Sequence, residues 1–126
     1  MPDDSEVLTR VYATILKRRD ADPQTSYTAG LFADGLSAVA KKVGEEASEM
    51  LEAGLSESDD ALVAESADLL FHLMVLWAVR GVTPAAVFAE LVRREGISGV
   101  AEKASRDGVQ STTSKRVRSA ANGDKT

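Results

Sequence analysis

Cysteine is missing from the 126-residue chain, which excludes disulfides and every thiolate zinc site. Histidine occurs once, as His72. A ferritin-like di-iron centre needs Glu-x-x-His pairs, and this histidine stands four residues from Asp68 rather than three, which argues against that class. There is no glycine-rich phosphate loop, no dinucleotide-binding fingerprint and no internal repeat. Near the start, Asp3, Asp4 and Glu6 fill the place where a secretory signal would carry positive charge. An excess of positive charge is also lacking: residues 1–96 hold 9 basic and 17 acidic residues, a body that discourages contact with nucleic-acid phosphates. Residues 97–126 carry 6 basic and 3 acidic residues, too few to reverse that. The 19 residues from Ala61 to Val79 approach membrane-spanning length, but Glu65, Asp68 and His72 inside them argue against insertion. At 44% hydrophobic and 28% charged, the composition is that of an ordinary soluble domain, and the expected location is the cytoplasm.

What the chain does have is acidic residues at helical spacing between Lys41 and His72. Residues three and four apart share a helix face, so Glu46 with Glu49, and Glu65 with Asp68, form two rungs of two carboxylates each. Facing each other, the rungs make a four-carboxylate cage. The second rung interrupts a segment apolar almost all round, which reads as a buried helix. Burying an unpaired carboxylate costs several kcal/mol, roughly, and no basic residue lies within that segment. A divalent cation meets the need, and an all-oxygen set suits Mg2+ or Mn2+.

Taken in order, Glu6 to Asp20 reads as a helix with Ser5 as N-cap and Val7, Leu8, Val11, Ile15 and Leu16 on one face. It closes on Lys17, Arg18 and Arg19, which either complement the helix dipole or meet phosphate. Asp22-Pro23 ends it, and a polar loop with Ser26, Tyr27 and Thr28 follows, with one or two helical turns before Gly35. Leu36 to Leu55 is a helix with Lys42, Glu46 and Glu49 along one flank, Glu45 and Lys41 pointing further toward water. Asp59 to Arg80 is the next, stopped by Gly81, with His72 on the face of Glu65 and Asp68, where a lone histidine serves more often as a supporting hydrogen-bond partner than as a catalyst. A last helix runs from Pro84, capped by Thr83, to Arg94 or Glu95. The expectation is an all-α bundle of four main helices, two of them a long antiparallel hairpin around the acidic rungs. The domain covers residues 1–96, with 97–106 as its extension and 107–126 as a disordered tail. The Asp59–Arg80 helix is apolar on more faces than one small bundle covers, so a homodimer is expected.

The pattern Glu45-Glu46-x-x-Glu49, then Glu65-x-x-Asp68, resembles the metal motif of the all-α, MazG-like nucleoside triphosphate pyrophosphohydrolases. Within that superfamily the chain is similar to the phosphoribosyl-ATP pyrophosphohydrolases of histidine biosynthesis. The likeness runs from residue 7 to about 106, through Asp22-Pro23 with Ser26-Tyr27-Thr28, Lys41-Lys42-Val43-Gly44-Glu45-Glu46-Ala47, and Ala67-Asp68-Leu69-Leu70-Phe71-His72-Leu73. The resemblance implies cleavage of phosphoribosyl-ATP between its α and β phosphates, giving phosphoribosyl-AMP and pyrophosphate. It implies Mg2+ held by Glu46, Glu49, Glu65 and Asp68, and Glu45 or Glu49 as proton acceptor. Lys42, and with it Lys41, Lys17, Arg18 and Arg19, would meet phosphate oxygens, with Ser26, Tyr27 and Thr28 lining the substrate loop. The zinc-dependent cyclohydrolase to which relatives are sometimes fused uses cysteines, and none stands here. Two alternatives share parts of this pattern: a housekeeping pyrophosphohydrolase of free nucleotides, and a helical interaction module without activity.

Overall fold

In the computed structural model, residues 6–97, 99 and 103–106 are described. Among them the chain is all-α, without a strand, and its main helices are α1 (Val7–Arg18), α2 (Tyr27–Asp34), α3 (Leu36–Ser56), α4 (Asp59–Arg80) and α5 (Pro84–Arg94). The short segment after the Ser-Tyr-Thr loop is thus a helix in its own right. Ser26 starts it, its side chain accepting the Ala29 N–H at 3.2 Å, and Gly35, at φ 92°, ends it. α1 is shorter than the spacing suggests, stopping at Arg18, and Glu6 precedes it without a side-chain cap. The Ser5 cap lies outside the described residues.

The α3–α4 hairpin is closed by chemistry visible in the sequence. Ser58 caps α4 by accepting the Ala61 N–H at 3.2 Å, and Asp59 and Asp60 in the first turn favour the positive end of the helix dipole. At the other end, Gly81 is left-handed at φ 73°. Its N–H reaches the Ala78 carbonyl at 3.2 Å and the Val82 N–H reaches that of Trp77 at 2.8 Å, a Schellman pair that satisfies carbonyls the helix leaves open. Thr83 caps α5 through the Ala86 N–H at 3.2 Å.

The core joins Tyr12 and Ile15 of α1, Leu31 of α2, Val39 of α3, and Met74, Val75 and Ala78 of α4. The Tyr12 hydroxyl donates to the Val82 carbonyl at 2.8 Å, fastening α1 to the turn after α4. α4 is not buried along its length as its composition suggests. Its buried residues are His72, Met74, Val75 and Ala78, whereas Val63 is 69% exposed. Where α1 covers it, Val7, Leu8 and Val11 share an apolar groove of about 310 Å³ with Ala67, Leu70, Phe71 and Met74.

The chain clusters into two compact units, Met1–Phe88 and Ala89–Thr126. Within the second, Glu90 accepts from Arg93 at 3.0 and 2.8 Å and from Arg94 at 3.0 Å. Residues 107–126, expected as a tail, lie outside the described residues.

Candidate active site

Glu46 and Glu49 of α3 and Glu65 of α4 each bring a carboxylate oxygen within 4.8 Å of the others. They are respectively buried, exposed and half-buried. Helix geometry accounts for the gathering: Glu46 and Glu49 are nearly one turn apart on α3, and the antiparallel α4 carries Glu65 alongside. Such crowding is unfavourable without a cation. The Glu46 carboxylate first, then partial loss of water and the Glu65 carboxylate, raise the Glu49 carboxyl above its ordinary proton affinity. Glu65 Oε2 is buried with no hydrogen-bond partner among the described residues, an orphaned acceptor of a kind that folded proteins rarely leave unexplained. Three converging carboxylates and one unsatisfied buried oxygen fit a hard divalent cation.

Lys42 flanks the cluster. Its ammonium lies 3.3 Å from Glu46 Oε1 and 3.8 Å from Glu45 Oε2, one turn back along α3. The hydrogen bond to Glu46, followed by the Tyr27 phenol, raises its proton affinity, so it stays a cation.

A cleft of about 520 Å³ is lined by Arg18, Ala21, Thr25, Ser26, Tyr27, Thr28 and Phe71. Tyr27 closes one side. Its ring stacks on Phe71, centroids 6.3 Å apart and planes 26° apart, and its hydroxyl meets His72 Nε2 at 2.8 Å. His72 is 5% exposed, and its Nδ1 meets the Asp68 carbonyl at 2.7 Å. A carbonyl only accepts, so Nδ1 bears the proton, and in the neutral ring Nε2 accepts from the tyrosine.

A sequence profile of the family described as phosphoribosyl-ATP pyrophosphohydrolase matches residues 8–95. The chain belongs to this family. It is 56% identical over 106 residues to the phosphoribosyl-ATP pyrophosphatase of Paramagnetospirillum magneticum, covering 84% of this chain and 97% of the relative. To that of Azospirillum brasilense it is 55% identical over 100 residues, 79% of this chain and 90% of the relative. To that of Rhodospirillum rubrum it is 54% identical over 105 residues, 83% and 90% of the two chains.

The residues singled out in the sequence of this family member fall into two groups. Glu46, Glu49 and Glu65 converge, Lys42 and Glu45 stand beside them, and Arg18, Ser26, Tyr27 and Thr28 share the cleft. Lys41, Arg19 and Lys17 are exposed and line neither. Asp68 is exposed, and its carboxylate is not one of those within 4.8 Å of each other. What Asp68 contributes in this structure is its backbone carbonyl, holding His72. Phe71 and Thr25 were missed as cleft residues. Phe71 sits in an apolar run where nothing in the pattern marks one leucine or phenylalanine from the next, and Thr25 is one more polar residue in a polar loop.

Proposed function

We propose that Glu46, Glu49 and Glu65, with Asp68 one turn further along α4, ligate the Mg2+ on which this hydrolase depends, Mn2+ being able to replace it. The chain hydrolyses phosphoribosyl-ATP between the α and β phosphates to phosphoribosyl-AMP and pyrophosphate, the second step of histidine biosynthesis. The observation that carries the metal assignment is the convergence of three carboxylates from two helices around the orphaned Glu65 Oε2. When bound, the cation supplies neutralisation of triphosphate charge and a Lewis acid for water and leaving group.

This chain's own residues supply the rest. Lys42, held cationic beside Glu46, offers a charged donor to phosphate oxygens next to the cluster. Glu45 accepts the proton of the attacking water: once Glu49 is spent on the cation it is the poorer base, whereas Glu45 stands just outside the cluster, 3.8 Å from Lys42. Ser26, Tyr27, Thr28 and Arg18 line the substrate's path, and His72 supports Tyr27 from behind. Lys41 and Arg19, exposed on neighbouring turns, add long-range attraction for a polyanion.

The protein works as a cytoplasmic homodimer. In support, α4 is long and apolar enough to cross a membrane, with only 22% of its most apolar window buried, yet Glu65, Asp68 and His72 sit within it. A second copy covering its exposed first half accounts for both facts.

The test is pyrophosphate release from phosphoribosyl-ATP with Mg2+, beside ATP and dUTP, for wild type and Glu46→Gln. Selective, Mg2+-dependent release lost in the variant is expected. Release from the free nucleotides alone would move the chain to the housekeeping class, and no release from any substrate would leave the interaction module.

A further inference from the structure

We infer that the cleft beside Arg18 is a second anion subsite, distinct from the carboxylate cluster, which takes the ribosyl 5-phosphate of the substrate and so tells phosphoribosyl-ATP from ATP. This rests on the substrate reading above.

The chemistry of the lining is that of an anion receptor. Its side chains offer one guanidinium and several hydroxyls, and among the described residues no carboxylate lines it. Arg18 makes no ion pair among the described residues, so its fork of donors is available to a phosphate. Thr28 supplies a separate observation. The residue is 5% exposed, it lines the cleft, and its hydroxyl has no hydrogen-bond partner among the described residues, so it is free to meet a ligand oxygen in the cleft. The backbone adds to this. A helix leaves its first amides without internal acceptors, and at the start of α2 the Ser26 N–H is met by the Asp22 carbonyl at 2.9 Å and that of Ala29 by the Ser26 hydroxyl at 3.2 Å. Those of Tyr27 and Thr28 remain, on residues of the cleft wall.

Geometry ties this subsite to the cluster. Phe71 lies six residues after Glu65 on α4, about 9 Å along its axis. Lys42 is in contact with Glu46 at the cluster, and along the cleft runs the stacked pair Tyr27 and Phe71, an apolar wall suited to a sugar and purine. A molecule with a triphosphate at one end and a phosphorylated ribose at the other matches two anion sites separated by an aromatic wall. ATP has only the first end.

The experiment compares wild type, Arg18→Ala and Arg18→Lys in kcat and KM for phosphoribosyl-ATP with Mg2+, and in inhibition by ATP and by ribose 5-phosphate. Arg18→Ala should raise KM about ten- to hundredfold, the worth of one charge-assisted hydrogen bond, with kcat changed less than about threefold. Ribose 5-phosphate should weaken in parallel while ATP inhibits as before, and Arg18→Lys should recover part of the loss. Arg18 is exposed at the end of α1, so unchanged melting is expected and checks the fold. An unaltered KM overturns the proposal. So does equal weakening of ATP and phosphoribosyl-ATP, because the cleft would then meet a part common to both. Wild type inactive on phosphoribosyl-ATP overturns the substrate reading itself, and this inference with it.

Discussion

Tyr27 and His72, 45 residues apart in sequence, share a 2.8 Å hydrogen bond that holds an exposed ring against a buried one. Tyr27 is 59% exposed, and a side chain so open would sample several rotamers were it not held. His72 packs edge-on to both Tyr27 and Phe71, and its second nitrogen is held by the Asp68 carbonyl. The wall of the cleft is therefore set from within α4.

Because the chain has one histidine, ring-nitrogen NMR reads this arrangement without assignment. The expected signal is the Nδ1-protonated tautomer, with Nε2 shifted in Tyr27→Phe and Nδ1 unchanged. His72→Ala should cost about 2–4 kcal/mol through the cavity it leaves and raise KM more than it lowers kcat. Equal populations of the two tautomers would refute the lock.

Removing a carboxylate from a crowded cluster should stabilise the protein without metal. Glu49→Gln is expected to melt higher than wild type in a chelator, because the neighbouring charges raise the proton affinity of Glu49. With Mg2+ the order should reverse, since wild type gains about 2.7 kcal/mol at a concentration a hundredfold above its Kd and the variant little. Calorimetric scans in the two buffers decide it.

Glu90 gives a pH dependence of known sign. Hydrogen bonds from Arg93, then Arg94, lower its carboxyl from 4.5 to about 2. A depressed folded value means stability that is present above the unfolded value and lost as pH falls from about 4.5 toward 2. Glu90→Gln should therefore be less stable than wild type at about pH 6, the gap closing on acidification. The side chain is 44% exposed, so added salt should shrink the gap as well.

Gly81→Ala should destabilise by about 1–2 kcal/mol, the penalty for a Cβ in the left-handed region. Among the described residues nothing stands within 4 Å of where that Cβ would be, so the loss is one of backbone conformation. Urea titration should show a lower midpoint with an unchanged slope.

If α4 is covered by a second copy, Val63→Asp, on an exposed apolar position of its first half, should shift sedimentation toward the monomer. A monomeric wild type would remove the homodimer, and a dimer that survives Val63→Asp would move its interface away from this face.

Much of this was legible beforehand because it depends on spacing within single helices. Glu46 with Glu49, Lys42 with Glu46, and the ends at Ser58, Gly81 and Thr83 are all local relations, and a period of 3.6 is enough to read them. Relations across helices were less accessible. That Glu65 closes the cluster while the Asp68 carboxylate stays outside depends on the rotation of α4 about its own axis. Tyr12 was absent from the apolar stripe read for α1, since its burial needs the Val82 carbonyl, 70 residues away, to satisfy its hydroxyl. The exposure of Val7, Leu16, Leu36 and Leu51 likewise follows from which neighbours reach them, something periodicity does not encode.

The connection between α3 and α4 is two residues, Glu57 and Ser58, and Glu65 follows Glu46 by only 19 positions. Closing so short a loop costs little entropy, and contacts this local form early. The repulsion among Glu46, Glu49 and Glu65 opposes the hairpin from its first moments, so the same crowding that shapes the site is a cost the fold carries while it forms.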